Sequence, residues 1–383
     1  MPALTHLDEP ANGVIETPAA AVRGWVADDG PEPITAAELV NADGLVVPLA
    51  LVERPDVREA VPNLTASGFS GWIDARAARA SPWFLRYTRE GAAYDLPLPL
   101  RADERMAAAF DAAKRAKLAM VRPLLRCPLC RAALVDESGA LRCTNGDVFP
   151  ADGDDAYDLL TPAMRRDVRA DATDNVSAHG YDDVLTSLIA TSPGPVADVG
   201  AGLRPDYRPD VINVEIVRYP TTDVVAAAEF LPFADATFDV VISVAVLEHV
   251  RDPFAAAREL QRILRPGGRI FAAVPFLQPY HGYPHHYYNM TEAGLLNLFP
   301  DVQPESISVP AAGHPIFALS WMLRAWREAL PPETAERFAA MRVDELTGDP
   351  VASFGQPYVD QLPERTRRDL AALNVLIGRK RLA

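Results

Sequence analysis

The chain has 383 residues, of which 49% are hydrophobic and 23% are charged, and its formal net charge at pH 7 is -15. A chain of this length is expected to form more than one hydrophobic core, and a surface this acidic repels phosphate backbones, so nucleic acid is not the favoured partner. No apolar run is long enough to span a membrane, and the N-terminus lacks the basic and apolar segments of a signal peptide, which predicts a cytoplasmic protein.

Residues 1–100 are predicted to form a small β-rich domain of sandwich type. Short apolar stretches at 21–26, 45–52 and 84–87 are separated by Asp-Gly, Gly-Pro and proline-rich segments, which are typical of turns. Residues 101–123 are predicted to be a linker helix, because residues that favour helices fill the segment until Pro123 ends it.

Residues 124–160 hold all three cysteines of the chain. Cys127, Cys130, Cys143 and Asp147 follow the spacing C-x2-C-x12-C-x3-D, which places two thiolates on one tight turn and two further ligands on a second. Such a pair of turns can surround a tetrahedral Zn²⁺ with no open position, so the predicted role of the ion is structural. Residues 124–160 are therefore predicted to be a zinc-ribbon-like segment, called the ribbon segment below. The alternative is a degenerate zinc ribbon that folds without metal.

Residues 161–383 alternate between apolar strands and helical stretches such as Pro253–Leu264. The alternation predicts an α/β domain with a doubly wound, Rossmann-like sheet of seven strands. The candidate strands are Val196–Gly200, Val211–Ile216, Asp223–Ala228, Val240–Leu247, Arg269–Phe276, Ile307–Val309 and Asn374–Arg379.

The first of these strands ends in a Gly-x-Gly turn at Gly200 and Gly202, and the second ends at Glu215. Glycine allows the backbone to approach a ligand where a Cβ would clash. An acidic side chain at the end of the second strand can accept hydrogen bonds from both ribose hydroxyls of a nucleoside. The pair of features therefore indicates a nucleoside-containing cofactor.

Three later motifs make the resemblance specific: Ala228-Glu-Phe-Leu-Pro-Phe233, Phe238-Asp-Val-Val followed by Leu247-Glu-His249, and Leu264-Arg-Pro-Gly-Gly268. Together with the glycine turn, they resemble class I S-adenosylmethionine (SAM)-dependent methyltransferases of the small-molecule type. The resemblance implies SAM as the cofactor. It also implies cofactor contacts from Asp198, Gly200, Ala201, Gly202, Glu215, Ile216, Ala228, Glu229, Ser243 and Val244.

Two positions depart from the family pattern. Arg204 stands where a third glycine is common, and it begins a link of about ten residues that barely accommodates a crossover helix. We therefore expect a turn or a clipped helix there. Ala227 stands where the family usually has an acidic residue, so one adenine contact is missing or comes from elsewhere.

Histidines and tyrosines crowd the segment after the fifth strand, where the substrate lies in this fold. We predict that one of His281, His285 and His286 is a general base, because imidazole accepts a proton near neutral pH. Tyr280, Tyr283, Tyr287 and Tyr288 would complete a polar, aromatic rim. The alternative is a structural loop whose histidines only hydrogen-bond the backbone.

These observations leave three functional hypotheses. The favoured one is O-methylation of a small polar acceptor, such as a sugar in a glycan, polysaccharide or natural-product pathway, since residues 1–100 resemble immunoglobulin-like accessory domains of polysaccharide-assembly enzymes. The second is methylation of ribosomal RNA by an enzyme with an N-terminal zinc ribbon, which the acidic charge disfavours. The third is a non-catalytic binding protein that keeps the fold, suggested by Arg204 and Ala227. The sequence leaves the oligomeric state open.

Overall fold

The computed structural model describes residues 3–79, 82–137, 139–150, 155–168, 180–282 and 285–372. These residues form two compact units. The first contains the described residues up to Leu247 together with Arg251–Ala273, and the second contains Glu248–Val250 and the described residues from Val274 onward. The first unit carries every strand named below.

The N-terminal part of the first unit is a seven-stranded antiparallel sheet. The elements of this part of the chain are β1 (Leu4–Glu9), β2 (Val14–Ile15), β3 (Ala19–Asp28), β4 (Ala36–Asn41), β5 (Val46–Val52), α1 (Pro55–Ala60), β6 (Thr65–Asp74), β7 (Trp83–Arg89), β8 (Ala92–Leu98) and β9 (Arg101–Ala102). The strand order is β1-β3-β6-β5-β4-β7-β8, and β2 pairs separately with β9. The strands predicted in this region correspond to β3, β5 and β7 and are confirmed.

Strand β5 changes partner along its length. Residues 46–49 pair with β4, whereas residues 50–52 pair with β6. Val47 and Leu49 of the first half pack in one core with Phe69, Trp83 and Leu85, whereas Leu51 and Val52 of the second half are exposed. Burial of these large side chains, each about 1.5–3 kcal/mol relative to exposure, stabilises this sheet.

A helix and a small sheet follow in the chain. Helix α2 spans Glu104–Val121, as predicted, and begins where the Asp103 carboxylate accepts the Met106 N–H. Strands β10 (Leu134–Glu137), β11 (Ala140–Cys143) and β12 (Val148–Pro150) then form a three-stranded antiparallel sheet that contains Cys143.

The remaining strands of the first unit form a parallel sheet in the order β13-β16-β15-β14-β17-β18. Its strands are β13 (Tyr157–Asp158), β14 (Val196–Val199), β15 (Val211–Glu215), β16 (Val224–Val225), β17 (Phe238–Val244) and β18 (Leu264–Ala273), with helices α3 (Pro162–Val168), α4 (Asp183–Ala190) and α5 (Pro253–Ile263) between them. The central strands are almost wholly buried, which explains their continuous apolar sequences. Helix α4 packs Leu185, Leu188 and Ile189 against Val196 and Ile242.

The prediction of seven strands is wrong for the described residues, in which this sheet has six. Ile307–Val309 forms no strand: Ile307 and Val309 are exposed, and Pro304 and Pro310 flank the segment and cannot donate to a ladder. The strand predicted at Asn374–Arg379 lies outside the described residues. An unpredicted strand, β13, instead joins the opposite edge by pairing with β16. It lies inside the segment 124–160, and the domain boundaries at 100, 123 and 160 stay predictions.

The connection between β14 and β15 contains no helix, which confirms the expectation from its length. Helix α2, from an earlier part of the chain, packs against this connection. The Phe110 ring meets the Tyr207 ring edge-on at 5.0 Å, and the Leu118 carbonyl accepts a hydrogen bond from the Tyr157 hydroxyl. A helix that precedes the parallel sheet by many residues therefore supports its strand connection.

Two buried lysines attach α2 to the sheet. Lys114 Nζ donates to the carbonyls of Pro220 and Thr222, at 2.8 and 2.5 Å. Burial lowers the Lys114 pKa to about 8, although Asp223 and Asp155 raise it in part. Lys117 Nζ donates to the Val211 carbonyl at 2.7 Å and to the Asp223 carboxylate at 3.0 Å.

Asp223 is fully buried and is the centre of this contact. Besides Lys117, its carboxylate accepts hydrogen bonds from the Tyr207 hydroxyl and from the Asn213 N–H. Lys117 Nζ also lies 3.5 Å from the centroid of the Tyr207 ring, within range of a cation–π interaction. One carboxylate thus joins α2, the β14–β15 connection and β15.

The second unit is helical among the residues that the structure describes. Its helices are α6 (Glu292–Leu298), α7 (Pro315–Glu328), α8 (Pro332–Ala339), α9 (Val343–Leu346), α10 (Pro357–Asp360) and α11 (Glu364–Asp369). Its core contains Leu330, Phe338 and Leu362, and Trp326 donates a hydrogen bond to the Tyr358 carbonyl. Among the described residues of both units, no helix combines the length and apolarity needed to cross a membrane.

We expect Lys117→Met to lower the free energy of unfolding by about 3–5 kcal/mol, because Asp223 would stay buried without its hydrogen-bonded ammonium group, and Lys114 Nζ lies 4.0 Å from its Oδ1. Urea denaturation followed by circular dichroism measures the change. The matched control on the same helix is Arg115→Ala, whose side chain is 63% exposed and pairs with Asp111. The control should change stability by less than about 1 kcal/mol. Equal effects of the two substitutions would contradict a stabilising role for the buried pair.

Candidate cofactor and metal sites

The glycine turn after β14 needs residues without a Cβ. Gly200 and Gly202 have φ angles of 75° and 61°, which L-residues with side chains rarely adopt. A Cβ at Gly200 would lie 2.2 Å from Val246 Cγ2, so the turn packs closely against that side chain. The N–H groups of Gly200 and Ala201 both donate to the Val214 carbonyl, which ties the turn to β15.

Glu215 ends β15 directly beside this turn. Its carboxylate accepts hydrogen bonds from the N–H groups of Gly202 at 2.8 Å and Ile216 at 2.7 Å. Burial raises the Glu215 pKa, and these backbone donors act in the opposite direction. The structure thus brings together the acidic residue and the glycine turn that the sequence analysis paired.

Arg204 acquires a specific partner in the structure. Its Nε lies 2.8 Å from Oδ2 of Asp198, and its guanidinium lies 4.5 Å from the centroid of the Tyr181 ring. The Tyr181 hydroxyl donates to the same carboxylate oxygen at 2.7 Å. Burial raises the Asp198 pKa, and Arg204 opposes that shift. The residue that replaces the family's third glycine therefore neutralises a fully buried acid.

Two buried polar atoms near the ends of β14 and β17 lack a hydrogen-bond partner among the described residues. They are Oδ1 of Asp198 and Oγ of Ser243. Since a buried polar atom is costly to leave unpaired, such atoms suit a polar ligand. Together with the Glu215 carboxylate and the glycine turn, they fit the amino-acid and ribose groups of SAM.

The remaining predicted cofactor residues lie in a 3-10 turn or pack against two different clusters of buried side chains. Ala228 and Glu229 lie in a single 3-10 turn, and burial raises the Glu229 pKa. Val244 packs against the cluster formed by α4, and Ile216 packs against the cluster around Leu160.

The ribbon segment brings its four predicted ligands together. Cys127, Cys130, Cys143 and Asp147 each offer one ligand atom, and all of these atoms lie within 4.8 Å of one another. Oδ2 of Asp147 lies 3.0 Å from the Cys143 sulfur and 3.2 Å from the Cys127 sulfur. Burial raises the pKa of the Cys127 thiol to about 12. A bound cation would favour the thiolate, so the donor set fits a tetrahedral Zn²⁺.

The turns that carry these ligands are formed by the local sequence. The N–H of Arg131 donates to the Cys127 carbonyl, and the N–H of Gly146 donates to the Cys143 carbonyl. Arg131 and Gly146 both have positive φ angles, 62° and 92°. Cys127 and Cys143 therefore each open a tight turn, as the C-x2-C-x12-C-x3-D spacing predicts.

Segment 279–291, called the histidine-rich loop below, belongs to the second unit. His249, His281 and His286 form one cluster, with ring centroids 4.2 to 5.7 Å apart. The His285 ring instead contacts Tyr287, with centroids 5.3 Å apart. Tyr280, Tyr287 and Tyr288 are exposed, as a rim would require. Tyr283 lies outside the described residues.

The sequence analysis missed Glu248 as a site residue. Its side chain is fully buried beside His249, and burial raises its pKa to about 7. The Leu-Glu-His motif contains it, but the motif alone gives no signal that the carboxylate is enclosed. Nδ1 of His249, the last residue of that motif, lies 2.7 Å from the His285 carbonyl.

Comparisons with known proteins identify the family. A profile of the methyltransferase domain matches residues 203–272. The demethylmenaquinone methyltransferase of Renibacterium salmoninarum is 31% identical over 202 residues, which span 52% of this chain and 82% of that protein. The chain belongs to the SAM-dependent methyltransferases.

Two further similarities differ in how much they say about the methyltransferase assignment. The demethylmenaquinone methyltransferase of Streptomyces avermitilis is 31% identical over 191 residues, or 47% of this methyltransferase and 76% of that protein. The solved phosphoethanolamine N-methyltransferase 2 of Haemonchus contortus is 17% identical, with 46% of this chain and 44% of that chain covered. Its TM-score of 0.27 is too low to bear on function. The relatives favour an enzyme over the non-catalytic binding protein suggested by Arg204 and Ala227.

Proposed function

We propose that this methyltransferase binds SAM at the glycine turn, with Glu215 as the acceptor for the ribose hydroxyls. The support is the pairing of a buried carboxylate with two positive-φ glycines, since the Gly202 N–H already lies 2.8 Å from Glu215. Asp198, Gly200, Ala201 and Gly202 would border the methionine part of the cofactor. Ile216, Ala228, Glu229, Ser243 and Val244 are proposed to complete the nucleoside side.

Glu215→Ala should weaken SAM binding at least about tenfold, because each hydrogen bond to a charged group is worth about 1.5–3 kcal/mol. Isothermal titration calorimetry measures the affinity. Glu53→Ala is the matched control, since that side chain is 84% exposed and distant in sequence from the turn. Glu215→Gln, which keeps one acceptor oxygen and the shape, should lie between the two. Unchanged SAM affinity in Glu215→Ala would rule out the assignment.

For the acceptor, we propose a small molecule with a ring hydroxyl, such as a sugar. The histidine-rich loop carries the proposal, because it combines exposed tyrosine rings with an imidazole that can accept the hydroxyl proton. Of the three predicted bases, His281 is favoured. Its Nδ1 binds the Pro279 carbonyl at 2.9 Å, so Nε2 is the nitrogen with the lone pair.

The names of the relatives support a second candidate acceptor, a quinone precursor methylated at carbon. Two relatives are demethylmenaquinone methyltransferases, matched over most of their length. Methylation of a hydroxylated aromatic ring at carbon also begins with loss of a hydroxyl proton, because the charged ring is the nucleophile. Both candidates therefore require a proton acceptor and a flat or ring-shaped site.

Incubation with methyl-labelled SAM and a panel of sugars, phenols and demethylated quinols should label one of these classes, and the methylated atom separates the two candidates. With that acceptor, His281→Ala should lower single-turnover rates by about 10²–10⁴-fold while SAM affinity is retained. His285→Ala serves as the control and should be nearly normal. If His281→Ala also keeps its rate, the base assignment is wrong, and catalysis depends on positioning.

We propose one structural Zn²⁺ in the ribbon segment, held by Cys127, Cys130, Cys143 and Asp147. The support is the close grouping of three sulfur atoms with one carboxylate oxygen. Asp147 is a less common ligand than Cys or His, yet it lies closest to the sulfurs of Cys127 and Cys143. With four protein ligands, no coordination position is left for catalysis.

Protein purified without added zinc should contain about one Zn²⁺ held by the ribbon, as the closed four-ligand set implies. Inductively coupled plasma mass spectrometry measures the ratio. Cys143→Ser should lose this ion and have a lower melting temperature. The control Glu137→Ala leaves Cys143 intact and should keep the ion. A folded protein whose zinc content is the same with and without Cys143 would refute the site.

We further propose that residues 1–100 form an accessory domain of immunoglobulin-like type. The support is the exchange of partners along β5, through which one strand serves two groups of strands. The acidic net charge continues to disfavour ribosomal RNA as an acceptor. A cytoplasmic location stays a prediction.

A further inference from the structure

Glu248, His249 and His281 converge in the second unit. A carboxylate oxygen and one ring nitrogen of each histidine lie within 4.8 Å of one another. Glu248 and His249 follow β17 in the chain, and His281 follows β18. Two imidazoles and one carboxylate are a common ligand set for divalent transition ions.

Backbone carbonyls orient both imidazoles for metal binding. His249 Nδ1 lies 2.7 Å from the His285 carbonyl, and His281 Nδ1 lies 2.9 Å from the Pro279 carbonyl. Since a carbonyl oxygen only accepts, Nδ1 carries the hydrogen in each ring and Nε2 carries the lone pair. Histidines that ligate metals are typically held in this way by their second nitrogen.

The Glu248 carboxylate lacks a partner of its own. Its side chain has no exposed surface, and neither carboxylate oxygen has a hydrogen-bond partner among the described residues. Its Oε1 lies 3.8 Å from Nε2 of His249. The Glu248 carbonyl accepts the N–H groups of Tyr287 and Tyr288, which holds this backbone against the histidine-rich loop. An enclosed carboxylate without donors is costly unless a cation or a proton joins it.

His286 lies near the cluster but is already engaged at both nitrogens. Its Nδ1 accepts the His281 N–H at 3.3 Å, and its Nε2 lies 3.1 Å from the Tyr288 carbonyl and 3.0 Å from Oδ1 of Asn289. The His286 ring therefore positions the His281 backbone without acting as a ligand. His285, whose ring contacts Tyr287 instead, is the histidine control for His281.

We propose that Glu248, His249 and His281 bind a divalent transition-metal ion. Three protein ligands leave coordination positions open, in contrast to the four ligands of the ribbon segment. The open positions would take oxygen atoms of water or of a hydroxylated acceptor, and this last role rests on the proposed function. Because coordination would use the Nε2 lone pair of His281, the ion would take the place of His281 as the group that activates the acceptor hydroxyl, since a bound ion lowers the pKa of an oxygen that it coordinates.

The test uses the full chain, first treated with chelator and then supplied with one equivalent of Zn²⁺ to fill the ribbon segment. Mn²⁺ is the probe, because it prefers nitrogen and oxygen ligands to thiolates. Electron paramagnetic resonance of free Mn²⁺ should show one bound ion per chain. His281→Ala and His249→Ala should weaken binding at least about tenfold, the lower range for loss of supporting groups around metal ligands. His285→Ala, which keeps the carbonyl that holds His249, should bind as the unsubstituted chain does.

Glu248→Gln keeps the shape of the side chain and should also weaken Mn²⁺ binding, which covers the case in which an alanine variant fails to fold. Thermal unfolding of each variant without metal identifies such failures. Absence of Mn²⁺ binding by the unsubstituted chain overturns the proposal, and so does equal weakening by His285→Ala and His281→Ala. Methyl transfer without Mn²⁺ binding would refute this inference alone. Mn²⁺ binding without methyl transfer would refute only the proposed acceptor role.

Discussion

The ion pair between Lys117 and Asp223 is the contact on which the cofactor-binding unit depends. A parallel sheet normally has a crossover helix between its first two strands, and the short connection here contains none. Helix α2 packs against this connection and is held there by a fully buried carboxylate. The same carboxylate accepts the Asn213 N–H within β15, two residues before Glu215. The strand that carries the proposed ribose acceptor is thereby fixed from outside the sheet.

Much of the parallel sheet could be predicted because buried strands leave a strong sequence signal. Runs such as Val211-Ile-Asn-Val and Val240-Val-Ile have few other interpretations when Gly-x-Gly or Pro-Gly-Gly turns adjoin them. The position of α2 could not be predicted in this way. Lys114 and Lys117 are expected at the surface of a helix, yet they are buried. The chain contains only three lysines against 34 arginines, and a compact ammonium group suits these enclosed carbonyl oxygens better than a planar guanidinium.

The two candidate metal clusters differ in how much the sequence shows. The cysteine cluster is local, because two tight turns bring its ligands together, so spacing alone predicts the grouping. The cluster of Glu248, His249 and His281 joins segments more than thirty residues apart, and its main signal is a carboxylate without partners. Arg204 falls between these cases: the sequence marks it as a departure, but only the structure shows that it neutralises Asp198.

The packing of α2 also affects how this protein could arise by recombination. The helix precedes the ribbon segment in the chain, yet it covers a connection of the cofactor-binding sheet. A gene fragment that begins after Pro123 would encode the strands without the side chains that neutralise Asp223. Exchange of the N-terminal sheet with that of another enzyme is thus compatible with the fold only when the crossover point lies upstream of α2. The segment that must be inherited as one piece therefore begins earlier in the chain than the methyltransferase motifs suggest.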